Sequence, residues 1–366
     1  MAGVYIHVPF CKTRCAYCSF YSTTSEELKD GYVEALCREM AGRQRQAVAT
    51  VYLGGGTPSQ LGVNRLQRIL SAVRAHFAVA ADAEITVEVN PDDVTAELAE
   101  GLAEAGVNRV SMGVQSFVDE ELLTVGRRHT AEEACRAVGL LHGEGFSNLS
   151  IDLMYGLPGQ TLESFARSID EALNLPVAHV SSYALSVEPG TLLHSRLRQG
   201  TFRETGEREM LEMYNLLRKR LKEAHFEHYE ISNFALNGYA SRHNSSYWDG
   251  TSYLGLGPGA HGYDGQRTRR ANLPDLKAYI AAADDVPHQL EVLGDDELYD
   301  EIVFTRLRTT RGLRLAEVPA DRRDYLLRMA APHVAAGRLS LTDDVLRLTP
   351  AALFISDGVM ADLMAE

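Results

Sequence analysis

Three cysteines stand within eight residues, in Cys11-Lys-Thr-Arg-Cys15-Ala-Tyr-Cys18, directly after the apolar run Val4-Tyr-Ile-His-Val8. The run alternates and carries β-branched residues, so it predicts a first strand with the thiols just beyond its carboxyl end. Thiolates are soft ligands that favour iron-sulfur or zinc centres. A closed zinc site wants four ligands and commonly uses Cys-x2-Cys pairs, and no second such pair follows. Three cysteines can instead hold three irons of a [4Fe-4S] cluster and leave the fourth iron open to a ligand. On spacing alone the cluster, zinc and ordinary thiols all stay open. Cys37 and Cys135 sit in helical patterns and are read as packing thiols, not ligands.

The rest of the chain constrains the surroundings of this loop. Short β-rich runs alternate with helical patterns: Val48–Leu53, Glu84–Val89, Asn108–Val114, Ser147–Leu153 and Val177–Tyr183 predict five further strands. Helices are expected over residues 24–45, 61–77, 95–105, 131–143 and 161–173. Six strands separated by helices argue a parallel sheet, and on pattern alone a doubly wound sheet fits as well as a barrel. Gly54-Gly-Gly-Thr-Pro58 ends the second strand with three glycines, which suits close approach of backbone to a ligand or a turn at positive φ. Glu88, Gln115, Arg127 and Asp152 all fall at or just past strand ends, a common address that raises the odds of one shared site.

With 366 residues the chain can bury a large core and a smaller one. A formal charge of −14 disfavours nucleic acid as a partner, since backbone binding wants a basic face. No apolar run is long enough to span a bilayer and no signal-peptide pattern opens the chain. A cytoplasmic protein is therefore expected, with a peripheral encounter at the inner face of the membrane left open.

Cys-x3-Cys-x-aromatic-Cys resembles the cluster loop of the radical S-adenosylmethionine (SAM) superfamily. That resemblance implies a [4Fe-4S] cluster on Cys11, Cys15 and Cys18, with SAM chelated to the open iron and cleaved reductively to methionine and a 5′-deoxyadenosyl radical. It implies an open (β/α)6 partial TIM-like barrel with its chemistry at the strand carboxyl ends. By the same resemblance Tyr17 lies near the adenine and Gly54, Gly55, Gly56 and Thr57 receive the methionine amino group. Gln115 and Asp152 bind the ribose, Arg127 engages the carboxylate, and Glu88 lines the cavity. Strand alternation, with Tyr5 opposite in parity to Val4 and Ile6, turns Tyr5 inward beside the cluster.

Further along, His243-Asn-Ser-Ser-Tyr247-Trp248 contains the only tryptophan of the chain, and Gly255-Leu-Gly-Pro-Gly-Ala-His261 follows. A flat ligand on aromatics with an imidazole free for iron is one reading of the first motif; a surface aromatic cluster is the other. The glycine run fits backbone lying close to a ligand cavity. Together the motifs resemble the haem-chaperone branch of the oxygen-independent coproporphyrinogen III oxidase-like family. Phe20 stands where the oxidase carries a fourth cysteine. The branch implies haem as a ligand, with His243, Tyr247 and Trp248 as contacts and His261 as the next imidazole. It also implies haem-accepting membrane proteins such as respiratory-chain components as partners, and an electron donor for the cluster. The alternative is the oxidase itself, which decarboxylates two propionates by radical chemistry. The expected division is a barrel over 1–200, a connecting region with the haem motif over 201–290, and a small α+β domain over 291–366. The last ends in helices and a hairpin, a winged-helix-like arrangement.

Overall fold

The computed structural model describes residues 1–283 and 285–365. Six parallel strands form its centre: β1 (Ala2–Val8), β2 (Ala47–Gly55), β3 (Ala78–Val89), β4 (Arg109–Gln115), β5 (Leu149–Tyr155) and β6 (His179–Ala184). They lie side by side in sequence order. A doubly wound sheet needs a reversal of order, whereas monotonic order curls toward a barrel. This decides between the two sheet types that the pattern left open.

The helices outside the sheet start where local chemistry allows. Thr130 accepts a hydrogen bond from the Glu133 N–H, and the Glu133 carboxylate accepts from the Thr130 N–H, a reciprocal cap for helix Ala131–Gly143. Thr95 and Thr161 cap helices Ala96–Glu104 and Leu162–Asn174 in the same position. Their apolar faces (Leu98, Leu102, Val138, Leu141, Phe165, Ile169) close over the outward-facing residues of the strands, including Val51, Val87, Val110 and Ile151, in one core.

The barrel is left open, and segments beyond residue 200 continue both of its edges. β7 (Glu227–Glu230) and β8 (Asn233–Ala235) form a hairpin antiparallel to β6. On the other side β9 (Tyr253–Leu256) pairs in parallel with β1, and β10 (His261–Tyr263), β11 (Thr268–Asn272) and β12 (His288–Val292) extend the sheet to twelve strands. The glycine run is thus strand and turn, and Gly255 and Gly257 answer to protein backbone. A Cβ on Gly255 would collide with the His261 carbonyl, and one on Gly257, at φ 93°, with the His7 carbonyl oxygen. A ligand is not what fills that space.

A separate core gathers Tyr299, Val303, Leu307, Leu326, Leu346 and Met360. It lies between helices Asp295–Leu307 and Arg323–Ala335 and an antiparallel sheet of β13 (Leu313–Arg314), β14 (Leu339–Thr342) and β15 (Val345–Leu348). Among the described residues no helix is long and apolar enough to cross a membrane.

Candidate functional site

Period-two alternation points Tyr5, Tyr52, Glu88, Ser111, Asp152 and Ser181 into the barrel, a polar interior where most barrels are apolar. A cavity of about 480 Å³ opens above these residues at the strand carboxyl ends. Cys11, Cys15, Tyr17 and Cys18 line it from the loop after β1, Gly55, Gly56 and Thr57 from the loop after β2, and Glu88, Gln115, Arg127 and Asp152 from the strands beyond. Tyr5 and Gly54 stand behind the wall. Sequence reasoning missed Asn90, which joins Thr57 to Arg127 (Nδ2 to Oγ1 3.1 Å; Nη2 to Oδ1 2.8 Å).

The loops are locked by their own packing. The Gly56 N–H donates to the Val8 carbonyl (2.8 Å) and the Thr57 N–H to the Phe10 carbonyl (2.7 Å). A Cβ on Gly56 would lie 2.8 Å from the Phe10 oxygen, and one on Gly55, at φ 111°, 2.6 Å from the His7 ring. The glycines therefore let the second loop press against the cysteine loop. Gln115 ends β4 at φ 73°, a left-handed conformation rare outside glycine and often found at functional positions.

The three thiols are half-buried and share one wall. Arg127 donates from Nη1 to Cys15 Sγ (3.5 Å), and Thr57 Oγ1 lies 3.6 Å from Cys11 Sγ. Among the described residues no three His, Cys, Asp or Glu side chains gather around a single-ion position. Thiols spread along one loop under a cationic side chain suit an anionic polynuclear cluster, which neither nitrogen nor carboxylate ligands complete here. The donor set fits a three-thiolate iron-sulfur cluster.

Burial pushes Glu88 up to about 7, against the Tyr52 hydroxyl (2.6 Å) and the Gly55 N–H (3.2 Å), which favour its anion. Burial likewise raises Asp152 to about 6, opposed by Ser181 and by the cations Arg109 and Arg127. Arg109 is a second residue that the sequence left unmarked. It is 1% exposed inside the barrel, and its Nε and Nη1 have no protein partner. A carboxyl with a raised native pKa contributes stability that is fully present below its unfolded pKa and is lost as pH rises through the native one. The parent protein without ligands should accordingly lose stability through Glu88 between about pH 4.5 and 7, and Glu88→Gln should remove that loss. Buried histidines such as His129 and His228, lowered by burial to about 3 and about 4, act in the opposite sense and are common to both proteins. The difference in unfolding free energy between variant and parent, from urea titrations, should therefore grow toward pH 8, reaching about 1–3 kcal/mol. A difference that stays constant with pH would remove Glu88 as the titrating group.

At the opposite end of the barrel, helix Arg242–Asp249 plugs the floor. The Glu84 carboxylate accepts from the Arg242 and His243 N–H groups (3.0 and 2.9 Å) at the positive end of this helix. His243 is completely buried. Its Nδ1 meets Thr50 Oγ1 (2.8 Å), its Nε2 meets the Tyr247 hydroxyl (2.9 Å), and its ring stacks on Tyr52 and Tyr5. Neither nitrogen is free for iron in this conformation, because both are spent on the plug, and burial keeps the ring neutral with a pKa lowered to about 3. Trp248 lies on the Arg308 guanidinium, and its carbonyl accepts from Arg306 (2.7 Å). Asn244 reaches the cavity floor. His261 is exposed.

Comparison with known proteins places this geometry. The Radical SAM superfamily profile matches residues 5–172, and the HemN C-terminal domain profile matches residues 293–355. The heme chaperone HemW of Mycobacterium tuberculosis (strain ATCC 25618 / H37Rv) is 40% identical over 373 residues, covering 99% of this chain and 94% of that protein. The heme chaperone HemW of Bacillus subtilis (strain 168) is 38% identical over 324 residues, covering 86% and 85%. Among solved structures, coproporphyrinogen III oxidase (HemN) from Escherichia coli, a radical SAM enzyme, superposes with a TM-score of 0.85. That match covers 100% of this chain and 90% of the oxidase at 23% identity, so it is the fold that the two share.

Proposed function

Since the chain belongs to the heme chaperone HemW family within the radical SAM superfamily, we propose that it binds a [4Fe-4S] cluster, SAM and haem, and passes haem to haem-requiring membrane proteins. The observation that carries this reading is the cavity that unites three thiols, a glycine-rich loop and the strand-end polar residues. A superfamily cluster supplies one-electron reduction of SAM when bound. The chain's own residues would do the rest. Cys11, Cys15 and Cys18 hold the cluster, and Arg127 beside Cys15 offsets its negative charge. Gln115 and the ionised Asp152 accept the ribose hydroxyls, Tyr17 borders the adenine, and the 54–57 loop presents its backbone to the methionine amino group. Tyr5 supports the site from behind, in contact with Tyr52 and through it with Glu88.

Replacing Asp152 or Gln115 by alanine should weaken SAM binding by roughly 5- to 150-fold while leaving the iron content unchanged, because these groups face ribose rather than metal. Isothermal titration of the reconstituted protein measures it. Parent-like affinity in both variants would remove the ribose assignment.

The second reading is decarboxylation of coproporphyrinogen III, favoured by the shared fold with the oxidase. Phe20, 65% exposed at the position of the oxidase's fourth cysteine, supplies no thiolate and supports the chaperone instead. Reduced protein incubated anaerobically with SAM and coproporphyrinogen III, beside a haem titration of the same preparation, separates the two. Haem bound at about one per chain without protoporphyrinogen supports the chaperone; repeated turnover without specific haem uptake overturns it. A cytoplasmic site of action, with delivery at the membrane's inner face, belongs to the same proposal.

A further inference from the structure

Arg109 opens β4 with its side chain turned into the barrel, in step with Ser111 and Gly113 further along the strand. It is sealed from solvent, and its Nε and Nη1 meet no acceptor among the described residues. A buried guanidinium without a partner is costly unless anions stand within Coulomb reach. Strand register supplies them. Ser111 lies beside Glu88 of β3 and Gly113 beside Asp152 of β5, so the two carboxyls flank the inner face of β4 one and two layers above Arg109. Two residues of strand rise by about 7 Å, close to the reach of an arginine side chain, and only the small Ser111 intervenes on that face. Glu84, lower in the barrel, is taken by the Arg242 and His243 N–H groups of the plug helix. Burial keeps the nearby His179 and His243 neutral.

Asp152 thus has a guanidinium on either side along the barrel axis. Arg127 approaches from the mouth, where it donates to the Gly113 carbonyl and to Cys15 Sγ. Arg109 approaches from below, and both cations oppose the burial that raises the Asp152 carboxyl. They are not equivalent once the site is loaded. On the reading above, Arg127 also faces the cluster thiolates and the SAM carboxylate, anions that draw on its charge, while Arg109 faces neither. We propose that Arg109 is a positioning residue for SAM: with Arg127 engaged at the mouth, it is the cation that holds Asp152 in the anionic form that accepts the ribose hydroxyls. The inference rests on the ribose role given to Asp152 and adds what sets its charge. The other groups facing Asp152 are Ser181 and Tyr183 of β6, Tyr52 of β2 and Glu88 of β3. Burial raises both tyrosines, and of these groups Glu88 alone titrates near neutrality.

The test takes Glu88→Gln protein as its reference, which leaves Asp152 as the one carboxyl of the pair that titrates, and adds Arg109→Gln or Arg109→Lys to it. Isothermal titration of the reconstituted proteins with SAM should show Arg109→Gln weaker by about 3- to 10-fold at pH 6.5, the result of a carboxyl shifted upward by about one unit or more, and equal to the reference at pH 8.5. Arg109→Lys, which keeps the charge, should stay near the reference at both. On the cluster-free proteins, the gain in unfolding free energy from Asp152→Asn should level off by about pH 7 in the reference and go on growing above it beside Arg109→Gln. If Arg109→Gln alone does not fold, the double replacement Arg109→Gln/Asp152→Asn, which removes both charges, should. A loss of affinity equal at the two pH values is what a merely structural role would give, and it overturns the proposal. So do an unchanged affinity, a lysine variant as weak as the glutamine one, or a double replacement that stays unfolded. If the reference takes up no SAM, the cofactor reading fails and this inference with it, whereas SAM binding without the pH-dependent difference sinks this inference alone.

Discussion

Alanine at Cys11, Cys15 or Cys18 should leave a protein that stays colourless after anaerobic reconstitution, whereas the parent should turn brown and hold about four irons and four sulfides per chain. Each variant keeps two thiols on a loop that offers no substitute donor: Ser19, Phe20 and Thr13 are hard or apolar, and Arg14 and Arg127 are cations. Burial raises the Cys11 and Cys18 thiols above their usual range, so these two are protonated at neutral pH in the metal-free loop and cluster assembly must release protons. Reconstitution of the parent should accordingly be more complete at pH 8 than at pH 6.5. Stoichiometric zinc without sulfide in the parent would overturn the cluster assignment.

Gly257→Ala should destabilise the fold by about 3 kcal/mol or more. Two costs add. The residue stands at φ 93°, which alanine adopts poorly, and its Cβ would lie 2.5 Å from the His7 carbonyl oxygen. That carbonyl cannot move away, because it also accepts from the buried Tyr32 hydroxyl at 2.8 Å. Denaturant midpoints of the unreconstituted proteins measure the loss. Alanine at Gly139, whose Cβ would meet nothing within 4 Å, is the control and should leave the midpoint unchanged or raise it. A midpoint for Gly257→Ala equal to the parent's would mean that β9 does not press on β1 as described.

Local pattern made the barrel legible. Val4–Val8, Val48–Leu53 and the runs after them are short β-rich runs between helical patterns, and each lies within a strand of the parallel sheet. The cysteine loop and the strand-end residues were legible because a parallel sheet has one functional end. What sequence could not reveal depends on contacts between distant segments. β9 looks like a loose glycine loop until β1 is set beside it. His243 looks available until Thr50 and Tyr247 close on its two nitrogens. Arg109 carried no signal because an interior cation has no periodicity of its own.

The parallel pairing of β1 with β9 has a consequence for how the chain is made. Gly3 pairs with Thr50 on one side and finds its other partner in Tyr253, and residues 242–249 close the floor of the barrel. During synthesis the first six strands leave the ribosome with one side of β1 unpaired and a polar interior open at its base. Strand edges left waiting for a late partner are slow to close and prone to pair wrongly. The cysteine loop, held through the Gly56 and Thr57 N–H bonds and braced by β9 behind His7, would reach its final shape only once the strand near residue 255 has docked. If the loop holds the proposed cluster, nascent chains stalled before residue 250 should be unable to retain it.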